Sequence, residues 1–146
     1  MKQAILVAAE NPRNPFGTIL VDAKSGEIVA KGINQAKLNP ILHGEMDAIN
    51  KYALNGLGNW KDLVLYTTAE PCCMCQSAIL WAGIQRVFYG TSISKLAELG
   101  WRQFTIGAHE VGAFASFATC SVTGGILVAE TDLLFERAMD ERAKRL

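Results

Sequence analysis

Two short clusters carry residue types that could do chemistry together: His43-Gly44-Glu45 and Pro71-Cys72-Cys73-Met74-Cys75. Cys72 and Cys75 are three apart, so on the first turn of a helix their sulfurs can converge on one ion, and the helix N-terminus favours their thiolate forms. His43, brought to the same point from elsewhere in the chain, can add a nitrogen donor. Zinc accepts two thiolates and an imidazole tetrahedrally, and three protein ligands leave the fourth position for water, as catalytic rather than structural sites require. Glu45, two residues beyond His43, is then close enough to face that water without taking the metal, as a carrier of protons.

Plainer arrangements use the same residues. In a closed structural zinc site, Cys120 or His109 supplies a fourth ligand and Glu45 is only a helix N-terminal carboxylate. In a thioredoxin-like arrangement the CxxC pair exchanges disulfides and the His43 cluster is a coincidence. The first predicts tight zinc without turnover, the second disulfide exchange without zinc. Three of the four cysteines crowd into positions 72, 73 and 75, where mutual disulfides would be badly strained, so metal or redox chemistry is favoured over cross-linking. Cys73, pointing away from Cys72 and Cys75, reads as a small buried residue, and Cys120 likewise.

The elements that must position these clusters alternate between strand-like and helix-like patterns. A short helix over 2–10 stops at Asn11-Pro12, and a strand follows over 16–22. Lys24-Ser25-Gly26 turns it into a second strand over 28–33, and 34–42, with Asn39-Pro40, is a loop. Met46, Ile49 and Ala53 place a helix over 43–52, ended by Asn55-Gly56. A buried strand over 63–67, a helix over 72–82 closed by Gly83, and a strand over 86–89 form a βαβ unit. From 91 to 119 the pattern is weak, with a short helix near 95–99 and extended or loop segments beyond, so that His109 and Glu110 read as solvated loop. Residues 126–144 form an amphipathic helix with Leu127, Leu133, Leu134, Ala138 and Met139 on its apolar face.

Half of the 146 residues are hydrophobic, which suits one α/β domain over residues 1–146. Lys plus Arg equals Asp plus Glu at 14 each, so no long-range attraction to nucleic acid or anionic membrane is expected, and a small neutral substrate fits better. The tail arginines and lysine are explained as a solvated face by Asp140 with Lys144 and Glu141 with Arg145, each four apart, leaving nothing basic in excess. The apolar runs at 78–82 and 113–118 fall short of the roughly 20 residues a membrane span needs. The N-terminus lacks a secretory pattern, and a cytoplasmic setting is expected.

Taken together, Pro15-Phe16-Gly17, His43-Gly44-Glu45, Thr68-Ala69-Glu70-Pro71-Cys72, Gly90-Thr91 and Thr123-Gly124-Gly125-Ile126-Leu127 resemble the cytidine deaminase superfamily over nearly the whole chain. The branch is that of tRNA adenosine deaminases, guanine deaminases and fungal cytosine deaminases. The resemblance implies a three-layer α/β/α cytidine deaminase-like fold with a central mixed sheet. It implies that His43, Cys72 and Cys75 bind one zinc per chain, and that Glu45 takes a proton from the zinc-bound water. The hydroxide so made attacks the amine-bearing ring carbon, and Glu45 delivers protons first to the adjacent ring nitrogen and then to the departing amine, so that ammonia leaves and a carbonyl remains. Asn34 resembles the family's base-binding asparagine, whose amide both donates and accepts, although by local chemistry a turn role suits it equally. Phe16 borders the pocket; it, Trp81 and Trp101 also suit core or interface roles. Glu110 has a second catalytic role as its alternative to the solvated loop.

On substrate the resemblance divides. Pro15-Phe16-Gly17 is similar to the guanine deaminase core, Gly44 is the glycine of fungal cytosine deaminase where tRNA enzymes carry alanine, and 123–127 is similar to the tRNA enzymes' last helix. Residues 94–101 replace the glycine-rich stretch of the tRNA enzymes, while neither Arg102 nor Gln103 is the acidic residue that guanine deaminases place there. The expectation is a nucleobase or nucleoside deaminase, with guanine or a related aminopurine ahead of cytosine and with tRNA adenosine as the main alternative. A structural-zinc binding module and an inactive relative serving as a partner subunit are the non-catalytic alternatives, and an intact Glu45 argues against both. Family members pair near the metal site, so a homodimer is expected.

Overall fold

Ile19-Leu20-Val21 in strand β1 (Gly17–Asp22) sends alternate side chains to opposite faces of a sheet, and both faces are covered. The computed structural model describes residues 1–56 and 58–145. β1 pairs antiparallel with β2 (Ile28–Ile33) and with β3 (Leu63–Ala69). β3 runs parallel to β4 (Arg86–Thr91), and β4 parallel to β5 (Ser121–Thr123). The order is β2-β1-β3-β4-β5, a mixed sheet as expected.

On one face, α2 (Gly44–Leu54) and α3 (Cys73–Ala82) bring Ala48, Ile49, Tyr52 and Ile79 onto Leu20, Leu65 and Val87. On the other, α1 (Lys2–Ala8) sets Ala4 and Val7 on Ile19 and Tyr66. Phe88 stacks on Tyr66, and two residues on, Gly90 abuts the Thr131 side chain of α6 (Val128–Ala143). The result is three layers. α3 is the crossover of the βαβ unit, and Gly83 closes it with φ 84°, a left-handed conformation that only glycine adopts without cost. Among the described residues no helix is long and apolar enough to cross a membrane.

β3 and β4 each run two residues further than the sequence indicated, because Ala69 and Thr91 pair in the parallel ladder. The segment 91–119 holds more structure than its pattern shows. α4 (Ile93–Glu98) is capped by the Ser92 hydroxyl, which accepts from the Lys95 amide, and α5 (Ala108–Ala113) takes the place of the loop expected at His109 and Glu110. The buried face of α6 is Thr131, Phe135 and Ala138, whereas Leu133 is 41% exposed. The stripe is thus rotated from the expected one, set by the aromatic contacts of Phe135 with Phe16 and Trp101.

Candidate active site

His43 and Cys72 are the N-cap residues of α2 and α3, both with extended backbone, so the two helix starts deliver their side chains to one spot beyond the ends of β1 and β3. His43 Nδ1 lies 3.6 Å from Cys72 Sγ and 3.6 Å from Cys75 Sγ, and the three donor atoms fall within 4.8 Å of one another. Zinc bonds of about 2.3 Å to sulfur and about 2.1 Å to nitrogen, opened to the tetrahedral angle, require a nitrogen-to-sulfur separation of about 3.6 Å. The donor set therefore fits one zinc ion. Neither Cys120 nor His109 joins it, so the closed four-ligand arrangement is not built; His109 is exposed on α5.

Without metal, the two thiols share a proton. Cys72 is held down to about 4 by its hydrogen bond with Cys75 and by His43. Cys75 is pushed up by donating to Cys72 and by burial. The bond to the Cys72 sulfur raises His43. A divalent cation in place of that proton lets both sulfurs be thiolates.

Glu45, on the first turn of α2, is 3% exposed, and burial raises its pKa. Its Oε1 accepts from Thr67 Oγ1 at 3.0 Å. A pocket of about 420 Å³ has Glu45, His43 and Cys72 in its wall together with Phe16, Asn34 and Trp101. Cys75 is fully buried behind it. Of the six site residues expected from sequence, five line this pocket and the sixth completes the metal set.

Two of those expectations are refined. The Asn34 amide oxygen accepts from the Ala36 N–H at 3.1 Å, so the asparagine makes a turn and faces the pocket at once, with its NH2 as the group left for a ligand. Phe16 borders the pocket from within an aromatic cluster, edge-on to Trp101 at 5.3 Å between ring centres. Trp101 thus belongs to both core and pocket, whereas Trp81 is 75% exposed and stacks on Phe117 at 4.3 Å. Cys73 and Cys120 are half-buried rather than buried.

Sequence reasoning missed three contributors. Glu70 lines the pocket and spans two helix starts, Oε2 accepting from the Ile93 N–H at 2.9 Å and Oε1 from the Ala108 N–H at 2.8 Å. Thr67 holds Glu45. Arg142, from the last turn of α6, also lines the pocket and donates to the Arg13 carbonyl at 3.0 Å and Asn14 Oδ1 at 2.7 Å. The tail charges are not arranged as their spacing suggested. Lys144 pairs with Glu141 instead of Asp140, and among the described residues no arginine pairs with a carboxylate. Glu110 caps its own helix, accepting from the Gly107 N–H at 3.1 Å.

Residues 1–91 match the family described as the cytidine and deoxycytidylate deaminase zinc-binding region. A guanine deaminase of Bacillus subtilis is 38% identical over 109 residues, 69% of this chain and 68% of that protein. A tRNA-specific adenosine deaminase of Rickettsia bellii is 37% identical over 141 residues, 93% and 92% of the two chains. The fold of a guanine deaminase from Nitrosomonas europaea superposes with a TM-score of 0.81 at 19% identity, over 95% of this chain and 82% of that one. The chain belongs to the cytidine and deoxycytidylate deaminase zinc-binding family. It is a zinc-binding deaminase, a hydrolase acting on C–N bonds.

Proposed function

We propose that this family member removes the exocyclic amine of a purine, with guanine or a related aminopurine as substrate, and that residues 1–146 act as one catalytic domain. The observation that carries the reading is the company Glu45 keeps: its pocket is lined by Asn34, Arg102, Gln103 and Arg142. Arg102 is a donor, the amide oxygens of Asn34 and Gln103 already accept from the Ala36 and Phe104 N–H groups so that their NH2 groups are what they offer, and Glu70, the other carboxylate there, is engaged by two amides. Guanine offers O6 and N7 as acceptors, whereas the corresponding edge of adenine carries the amine itself. The similarity to the guanine deaminase of Bacillus subtilis supports the same choice.

His43, Cys72 and Cys75 would hold the zinc, which when bound would supply an activated water. Glu45 would move two protons in turn, the first from water to the ring nitrogen beside the carbon that the water oxygen attacks, and the second from the resulting hydroxyl to the amine, which leaves as ammonia as the carbonyl forms. The Asn34 NH2 holds an acceptor on the base, and Phe16 closes one side of the pocket.

A second reading, adenosine in tRNA, is favoured by the near full-length similarity to the Rickettsia bellii protein. It is also favoured by Arg13, Arg142 and Arg145 around a cavity adjoining the substrate pocket. The aromatic face of Trp81, Phe114 and Phe117, all exposed, supports a homodimer in which a second copy covers it; a monomer mass by light scattering at micromolar concentration would overturn this. A cytoplasmic setting remains part of the proposal.

The deciding experiment measures ammonia release by zinc-quantified protein from guanine, adenine, cytosine, their nucleosides and an adenosine-containing tRNA anticodon stem-loop. Release from guanine or another aminopurine is expected. Release from cytosine alone would overturn the purine reading, and release from the stem-loop alone would replace the free-base reading with the tRNA one. Silence throughout, with one zinc per chain, would overturn both.

A further inference from the structure

Glu45 has two carboxylate oxygens, and one of them is already tied. Thr67 Oγ1 donates to Glu45 Oε1 at 3.0 Å, and Thr18 Oγ1 donates to Thr67 Oγ1 at 3.1 Å. Thr18 and Thr67 are directly opposite each other in the antiparallel register of β1 and β3, so the sheet itself builds the hydroxyl pair. Both threonines are fully buried. Water does not compete for these groups, and each must find its partner inside the protein.

The direction of donation matters because a hydroxyl has one proton. The oxygen of Thr67 accepts the proton of Thr18, and its own proton goes to Oε1. That oxygen is thereby occupied as an acceptor, while the Glu45 carboxylate lines the pocket with the Cys75 thiol beside it. The approach of α2 to β1 that allows this depends on Gly44, the neighbour of Glu45. A Cβ there would lie 2.6 Å from the Phe16 carbonyl oxygen and 3.1 Å from Thr18 Oγ1.

We infer that Thr67, backed by Thr18, is a positioning residue for Glu45: it reserves Oε1 as an acceptor, so that proton exchange with water and base runs through Oε2. The inference rests on the proposed role of Glu45 as proton carrier. Losing the Thr67 hydroxyl frees the carboxylate to rotate, which disturbs proton transfer while leaving the metal set and the pocket walls in place.

The test compares Thr67→Val, Thr67→Ser, Thr18→Val and Glu45→Gln in zinc-loaded protein, reading kcat, KM and zinc content on whichever substrate the wild type turns over. Valine matches threonine in shape, so Thr67→Val is expected to lower kcat roughly 10- to 100-fold with KM within about twofold and one zinc per chain. Thr67→Ser, which keeps the hydroxyl, is expected to restore most of kcat. Thr18→Val, which removes only the second donor, is expected to show a smaller loss with the same kcat-only signature, and it provides the answer if Thr67→Val does not fold. Full kcat in Thr67→Val, a loss that serine does not restore, or a loss that follows zinc or KM would overturn the inference. If Glu45→Gln retains turnover, the proton-carrier role fails; if Glu45→Gln is inactive while both valine variants are fully active, only the positioning role fails.

Discussion

The guanidinium of Arg142 lies 3.9 Å from the centre of the Trp101 ring. That contact ties the end of α6 to the substrate pocket, which both residues line. Arg142→Ala is expected to raise KM for the substrate several-fold with a smaller change in kcat. The lost cation–π contact at this exposed guanidinium should cost only about 0.5–1 kcal/mol of stability. Arg142→Lys should recover little, because an ammonium cannot reproduce the planar fork. Steady-state kinetics beside a thermal scan checks both; an unchanged KM would remove Arg142 from substrate binding.

Metal-free protein should carry its reactive thiolate at Cys72. With that thiol lowered to about 4 by Cys75 and His43, the thiolate is present above this pH and lost as pH falls through it. Iodoacetamide should therefore modify Cys72 at a nearly constant rate from about pH 6 to about pH 8, where an ordinary thiol speeds up roughly tenfold per unit. Cys120, raised by burial, should lag. Zinc should protect Cys72, and peptide mapping that found Cys120 modified first would contradict the arrangement.

Glu45 and Cys75 separate turnover from metal binding. Glu45→Ala should keep one zinc per chain and lose at least about 100-fold in kcat, the scale of a general acid–base catalyst. Cys75→Ala should lose the zinc itself, since two ligands remain. Metal analysis and ammonia release on the same samples decide the matter, and near-normal turnover in Glu45→Ala would remove Glu45 from the chemistry.

The metal set was legible in the sequence because its signals are local. Cys72 and Cys75 share one helical turn, as do His43 and Glu45, and the strands are marked by β-branched runs. What was not legible depends on distant partners. The Thr18–Thr67 pair is 49 residues apart and set by register, and Arg142 reaches a loop 128 residues away. α5 starts on a carboxylate 38 residues earlier. The i,i+4 rule read Asp140 with Lys144 from spacing, but Lys144 turns to Glu141 instead. On α6, hydrophobicity chose Leu133, whereas the aromatic cluster rotates the helix toward Phe135.

Glu70 is expected to carry much of the stability of the pocket rim. Its two oxygens accept the N–H groups of Ile93 and Ala108, residues that are both buried. Glu70→Ala leaves both donors without partners, at a cost of about 3 kcal/mol in total, or roughly 10 °C in Tm. Glu70→Gln keeps one acceptor and should lose about half as much. Thermal unfolding of the two variants tests this; a Tm within about 2 °C of wild type for Glu70→Ala would show that the helix starts are held by packing alone.

Gly44 is expected to be required for steric reasons. A Cβ at this position meets the Phe16 carbonyl oxygen at 2.6 Å, and that oxygen is fixed because it accepts from the Asn34 N–H at 3.1 Å. In Gly44→Ala the start of α2 must therefore lift away from β1 and carry His43 and Glu45 with it. Overpacking of this kind costs about 1–3 kcal/mol, and the displacement should lower kcat roughly tenfold or more. Gly44→Ser should be at least as damaging, since it adds an oxygen to the same Cβ. If Gly44→Ala keeps both the wild-type Tm and kcat, α2 has room on β1, and the glycine would have to be explained by the substrate instead of by the contact between helix and strand.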